Sequence, residues 1–251
     1  MSSSIWTRCA GDSRLRELRL APWRVVEAQH RISTRKLVDS AEEQELLEEL
    51  LEQVKPPDAT GGRIHYLLFT PFRYPPLRHG SRFGARHERG IWYGSEERRT
   101  AFAEVAYYRL LFLAGTRARL GVLTTSLTAF TVRMKSSRAI DLVAPPFDAH
   151  LGSIASPTSY EASQTLGRAM RVAGVELFRF PSARDVEHGV NVGAFVPAVF
   201  GRARPQRFET WHCTLTADRV ELSRADFLRR ERFDFPREQF LIQGELPAPA
   251  L

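Results

Sequence analysis

The chain is poor in cysteine and lysine, and it has no long apolar run. Its two cysteines, Cys9 and Cys213, lie near opposite ends of the sequence. This excludes a disulfide scaffold, and no Cys/His spacing matches a structural zinc site. No run approaches the ~20 apolar residues that span a bilayer, and the N-terminus is too weakly apolar for a signal peptide. We therefore expect a soluble, cytoplasmic protein that uses no metal.

The composition also excludes wholesale disorder. Of the 251 residues, 43% are hydrophobic, and a chain of this length can bury a substantial core without disulfides. No internal repeat is visible. The sequence is therefore that of a folded globular protein.

The positive charge is carried almost entirely by arginine. Only three of the 36 basic residues are lysine, and the formal net charge is +7. Guanidinium groups bind phosphate and carboxylate through paired hydrogen bonds and stack on planar groups. A GC-rich genome would give the same arginine usage, so an anionic ligand and a compositional bias both remain open.

The first sixty residues are expected to form an N-terminal extension (1–60) before a main domain (61–251). A helix is predicted over 41–54, because Ser40 and Glu43 are spaced as a capping box and leucines recur at helical spacing. Its apolar stripe fits packing on the main domain, and it also fits oligomerisation or docking of a protein partner.

Beyond residue 60, helices and strands follow one another without regular alternation. Helices are predicted over about 96–113 and 158–173. Strands are predicted over 64–70, 90–94, 120–135 (one long or two short), 138–143, 175–180, 189–196 and 208–223, the last with a turn at 216–219. Because the order is not βαβ, we expect an α+β fold and not a doubly wound sheet.

A loop rich in glycine and proline is the first candidate for chemistry. It runs from Thr70 to Gly84 and brings together Arg73, Arg78, His79 and Arg82. Such a loop can present cations and backbone N–H groups to an anionic ligand. A solvated loop explains the same residues equally well.

Glu104 is the second candidate, because its neighbours along the predicted helix are almost all apolar. A lone carboxylate in such a helix must be ion-paired, hydrogen-bonded or beside a cavity, since an unpaired buried charge is costly. A structural ion pair with a loop arginine and a catalytic carboxylate both satisfy this requirement.

Short motifs between residues 67 and 199 follow in a recognisable order. They are Gly80-Ser-Arg82-Phe-Gly84, Gly90-Ile-Trp-Tyr93, Thr100-Ala-Phe-Ala-Glu104-Val105, Gly174-Val-Glu-Leu-Phe-Arg-Phe-Pro-Ser182 and Asn191-Val-Gly-Ala-Phe195. In order and spacing they resemble the RES-domain toxins, a family named for its Arg, Glu and Ser residues. Phe83-Gly84 departs from the family's usual Trp-Asn pair.

The resemblance implies an ADP-ribosyltransferase-like fold, in which helices flank a split, twisted β-sheet with an NAD cleft between its halves. It also implies site residues. The catalytic residues would be Glu104, Arg82 and Tyr93, and NAD would be bound by Arg73, Arg82, Tyr93, Ser182 and Asn191.

The activity implied is degradation of NAD at the nicotinamide–ribose bond, by phosphorolysis or hydrolysis. Members of the family are toxins of toxin–antitoxin pairs, neutralised by a helix-turn-helix antitoxin protein. Phosphate as a co-substrate would need a second cationic pocket, for which Arg78, His79 and Arg184 are candidates. The sequence does not decide whether the chain forms a homo-oligomer.

Two alternatives remain open. The same cleft could transfer ADP-ribose to a protein. In a different class, the chain could be a basic nucleic-acid-binding module, which the net charge and the sequence Phe72-Arg73-Tyr74 would suit.

Overall fold

The computed structural model describes residues 4–28, 40, 42–43, 46, 50, 63–74, 80–118, 120–224, 226 and 231–249. Their helices are α1 (Ile5–Arg8), α2 (Tyr66–Arg73), α3 (Arg98–Gly115), α4 (Leu151–Ile154) and α5 (Glu161–Val172). Their strands are β1 (Arg16–Leu20), β2 (Trp23–Glu27), β3 (Trp92–Ser95), β4 (Leu123–Thr131), β5 (Met134–Asp141), β6 (Leu177–Pro181), β7 (Val190–Ala194), β8 (Gln206–Leu215), β9 (Arg219–Arg224) and β10 (Arg232–Pro236). The predicted α+β class is confirmed.

The strands form one mixed sheet in the order β1-β5-β6-β7-β3-β2-β4-β8-β9-β10. All neighbours are antiparallel except β5 and β6. The centre of the sheet is its narrowest junction, because β2 meets β3 through the single pair Trp23 and Ser95. The sheet is thus divided into two five-stranded halves.

Helix α3 packs on the sheet and carries the candidate carboxylate. Its buried face includes Phe102, Ala106 and Leu110, which belong to one apolar cluster with Trp211 and Leu222 of the β8–β9 hairpin. The other half of the sheet has its own apolar cluster with α1 and α5. Because α3 is fixed on one side by this core, the position of Glu104 is set by packing.

Residues 4–28 fall within the predicted N-terminal extension, and they are nevertheless part of the sheet. Strand β1 pairs with β5, and β2 lies between β3 and β4. Ile5 and Trp6 of α1 are buried in the core. This stretch therefore belongs to the main folded body, and the boundary expected at residue 60 lies outside the described residues.

The predicted helix over 41–54 lies largely outside the described residues. At its start, the Glu43 N–H donates to Ser40 Oγ at 3.1 Å, as the capping box requires. Two leucines of the predicted stripe, Leu46 and Leu50, are about half exposed.

The strand predicted over 64–70 is wrong, since these residues begin helix α2. His65 is the N-cap, and its Nδ1 accepts from the Leu67 N–H at 3.2 Å. Leu67, Leu68 and Phe69 are buried. A short apolar run fits a strand and a buried helix equally well, so periodicity alone could not identify this helix.

The later strands agree better with prediction. Residues 120–143 form two strands, β4 and β5, and the segment predicted separately at 138–143 is the end of β5. The predicted turn at 216–219 joins β8 to β9, where Leu215 pairs with Val220.

A charge network fixes one edge of the sheet. The buried carboxylate of Asp141 on β5 pairs with Arg16 of β1 and, at 2.6 Å, with Arg179 of β6. Arg179 also donates to both oxygens of Glu96, at 2.6 and 2.8 Å, and these hydrogen bonds raise the pKa of the Arg179 guanidinium. The network ties three strands to the segment after β3.

Across the part of the chain that the structure describes, none of the helices is both long enough and apolar enough to cross a membrane.

Candidate functional site

Glu104 projects from α3 and is held by two neutral donors. Its Oε1 accepts from Ser182 Oγ at 2.7 Å and from Asn191 Nδ2 at 2.6 Å. Among the described residues no cation forms an ion pair with it, and no protein group donates to Oε2. The carboxylate is therefore oriented by hydrogen bonds and has one oxygen open to a ligand.

Ser182 both caps a turn and orients Glu104. It directly follows β6, and its Oγ accepts from the N–H groups of Arg184 and Asp185, each at 3.1 Å. A hydroxyl has one proton and two lone pairs. With both lone pairs occupied by backbone donors, its proton is directed at Glu104.

Asn191 lies on β7 beside Ser95 of β3, and the two residues are paired in the sheet. Ser95 Oγ donates to Asn191 Oδ1 at 2.6 Å. Because that hydrogen bond uses the amide oxygen, the amide nitrogen faces Glu104. The sheet register therefore fixes the second donor.

Tyr93 of β3 supports the loop that carries Arg82. Its Oη accepts from the Phe83 N–H at 3.2 Å and shares a hydrogen bond of 3.0 Å with Ser81 Oγ. Burial raises the pKa of Tyr93 to about 12, so the phenol stays neutral at physiological pH. Its hydroxyl group therefore makes both of these hydrogen bonds to the loop.

The loop is closed by its own backbone and anchored by Phe83. The Ser81 N–H donates to the Gly84 carbonyl at 2.7 Å. The Phe83 ring is fully buried against Phe178 and Phe180, at centroid distances of 4.9 and 4.8 Å. Phe83 therefore anchors this loop in the core.

Two buried arginines lie beside one loop. Arg82 Nη1 donates to the Ser156 carbonyl at 2.8 Å, and Arg184 Nη2 donates to the Pro157 carbonyl at 3.0 Å. Each guanidinium also lies over a tyrosine ring, Arg82 over Tyr160 and Arg184 over Tyr107. No described carboxylate is within ion-pairing distance of either arginine.

Three tyrosines complete the site, and none of them was predicted from the sequence as a site residue. Tyr108 and Tyr160 share a hydrogen bond of 3.1 Å between their hydroxyls. Burial raises the pKa of Tyr107 to about 12, and burial together with Tyr160 and the Glu104 carboxylate raises the pKa of Tyr108. Tyr107 and Tyr108 follow Glu104 by three and four residues, which is the spacing of one helix face. That spacing was the signal in the sequence that could have identified Tyr107 and Tyr108 as site residues.

Arg73 lies on α2 and lines a cavity of about 390 Å³ with Arg63 and Arg204. Glu104 and Arg82 are not among the described residues that line it. Arg78 and His79, proposed for a phosphate pocket, lie outside the described residues, whereas Arg184 lies in the site.

The predicted residues Glu104, Ser182 and Asn191 are in direct contact, and Arg82 and Tyr93 meet on the neighbouring loop. A carboxylate with one open oxygen can stabilise positive charge that develops on a substrate. Two guanidiniums without carboxylate partners can bind an anionic group. Within the described residues, no cluster of His, Cys, Asp and Glu is placed to hold a metal ion.

Comparison with known protein families gives a match that covers the site. The family model described as RES domain matches residues 56–216, which is more than half of the chain and includes all these residues. No curated protein gives a significant match. The chain belongs to the RES domain family.

Proposed function

We propose that this protein is an NAD-degrading toxin that cleaves the nicotinamide–ribose bond and is neutralised by a cognate antitoxin. The RES family is associated with NAD-degrading toxins of toxin–antitoxin pairs. The observation that carries the proposal is Glu104, whose Oε1 is held by Ser182 and Asn191 while Oε2 accepts from no described group.

The chemistry of the bond explains why a single carboxylate suffices. Nicotinamide leaves NAD as a neutral molecule, so its departure needs no general acid. The difficulty is the positive, oxocarbenium-like charge that develops on the ribose, as in glycoside cleavage. Oε2 of Glu104 would accept from a ribose hydroxyl and stabilise that charge. Ser182 and Asn191 would hold the carboxylate in place, so that little reorganisation is needed.

The arginines would bind the phosphate groups. Arg82 and Arg184 are buried and already oriented by backbone carbonyls and tyrosine rings. No described carboxylate neutralises these two guanidinium groups, so the pyrophosphate of NAD would supply the negative charge. Tyr93 would act as a positioning residue, because its hydroxyl fixes the loop that carries Arg82.

The test is incubation of the purified chain with NAD, with and without phosphate, followed by separation of the products by chromatography and mass. Nicotinamide release that requires phosphate indicates phosphorolysis, and release without phosphate indicates hydrolysis. A modified protein band indicates ADP-ribose transfer instead.

Glu104→Gln removes the charge and keeps the volume, so turnover should fall by roughly 10²–10³-fold. The matched control is Glu238→Gln, which changes an exposed glutamate and should leave turnover unchanged. Absence of NAD loss in folded, antitoxin-free protein, or full activity of the Glu104→Gln variant, would contradict the proposal.

A further inference from the structure

The cavity that contains Arg73 has its own chemical character. It has a volume of about 390 Å³ and lies between α2 and the loop after Val199. Its lining includes Arg63, His65, Tyr66 and Arg204. Its volume is within the range of small-ligand sites, roughly 300–1,000 Å³.

The walls of this cavity are positively charged. Three arginines line it, Arg63, Arg73 and Arg204, and neither aspartate nor glutamate is among its described lining residues. Arg63 and Arg204 are exposed, and no described carboxylate pairs with either of them. Arg63 and Arg204, from two distant segments, therefore meet at this cavity without a carboxylate partner among the described residues, which favours an anionic ligand.

The cavity also has an aromatic platform. Tyr66 is 51% exposed, and its ring stacks on His65 with 4.6 Å between centroids and 27° between planes. An exposed tyrosine ring offers a face on which a planar base can stack. Carboxylate ligands gain nothing from such a face, whereas nucleotides use both the ring and the cations.

A hydrogen bond holds the two segments that form the cavity together before any ligand binds. The His65 N–H donates to the Ala203 carbonyl at 2.8 Å, which fixes the loop of Arg204 against the start of α2. His65 Nδ1 accepts from the Leu67 N–H, so Nε2 carries the ring proton and is available as a donor. A preformed site loses less conformational entropy on binding.

We propose that this cavity binds the phosphate and base of a nucleotide, either free or within single-stranded nucleic acid. Arg63 and Arg204 contact the phosphate, and the base stacks on Tyr66. The site is separate from Glu104 and does not depend on NAD cleavage.

The experiment measures binding of two fluorescent probes, a labelled AMP and a labelled oligothymidylate, to the full chain carrying Glu104→Gln. Arg63→Ala combined with Arg204→Ala should weaken binding at least about 10-fold. With the oligonucleotide, it should also reduce the slope of log affinity against log salt by about 1.4, at about 0.7 per phosphate contact.

Tyr66→Ala should weaken binding by about 5- to 150-fold, the usual loss for one stacked base. Tyr66→Phe keeps the ring and should bind as the parent does. Arg117→Ala, at an exposed arginine outside the cavity, is the matched control for charge. Thermal melting of each variant verifies that the fold is intact.

Tight binding of the oligonucleotide alone identifies nucleic acid as the ligand, and comparable binding of labelled AMP identifies a free nucleotide. The proposal is overturned if neither probe binds or if the cavity variants bind normally. It is also overturned if oligoglutamate competes equally, which would indicate an acidic polypeptide. A raised KM for NAD in the cavity variants, measured with Glu104 intact, would assign the cavity to the NAD cleft and overturn it too.

Discussion

The side chain of Glu104 shows what a single residue in a sequence can and cannot reveal. Its apolar neighbours indicate that the carboxylate needs a partner, and an ion pair with a loop arginine was one expectation. The partners found are neutral, and they lie 78 and 87 residues further along the chain. Ser182 and Asn191 were predicted only through the family resemblance, because nothing local links them to Glu104.

The buried tyrosines give a prediction about alkaline pH. Burial raises the pKa of Tyr93 and of Tyr107 to about 12 in the folded protein, whereas a tyrosine in the unfolded chain has a pKa of about 10. The folded state therefore holds more protons between these values, and the free energy of unfolding should fall as pH rises from about 10 to 12. The slope should approach about 1.4 kcal/mol per pH unit for each of the two tyrosines.

Urea denaturation at several pH values measures this slope. Tyr107→Phe should reduce it, although the variant also loses the hydrogen bond from Tyr107 Oη to the Pro247 carbonyl at 2.5 Å. Stability that is independent of pH between 10 and 12 would contradict the assignment.

Among the elements, strongly patterned segments were predicted and context-dependent ones were not. The helix predicted over 96–113 and the β8–β9 hairpin are confirmed, because a long, mostly apolar run and a polar turn are local signals. Helix α2 was predicted as a strand. Strands β1 and β2 were not predicted at all, because their partners β5, β3 and β4 are distant in sequence.

The contact between α5 and the Arg82 loop gives a prediction at this scale. A Cβ at Gly167 would overlap the Phe83 carbonyl group, so Gly167→Ala must displace α5 or the loop. We expect lower stability together with lower NAD turnover, since Arg82 lies next to Phe83.

Gly152→Ala is the matched control, because a Cβ there meets no atom within 4 Å. Alanine in a helix is more favourable than glycine by up to about 1 kcal/mol, so this variant should be as stable as the parent or slightly more stable. Equal activity of the two alanine variants would show that the loop tolerates displacement.

For the whole molecule, the fold class followed from the unordered mixture of strands and helices, whereas the strand order did not. Strand order depends on which distant segments meet, and a single sequence contains no direct record of such pairing. The Asp141 network is an example, since it joins Arg16, Glu96 and Arg179 across three strands.

Asp141→Asn should destabilise the protein by about 2 kcal/mol. This loss is smaller than the roughly 3–5 kcal/mol expected when one partner of a fully buried ion pair is removed. The reason is that Arg179 keeps its ion pair with Glu96 and that its side chain is 23% exposed. Asp234→Asn breaks only an exposed pair with Arg219 and should cost less than about 1 kcal/mol. Chemical denaturation measures both variants, and equal losses would contradict the structural role of Asp141.

The order of the strands also has a consequence for synthesis. Strand β2 leaves the ribosome before both of its neighbours, and Glu104 leaves long before the strand that orients it. A growing chain therefore holds the carboxylate without its two donors until β7 has been made. Every product that stops short of that strand, by premature termination or by cleavage, lacks the oriented carboxylate.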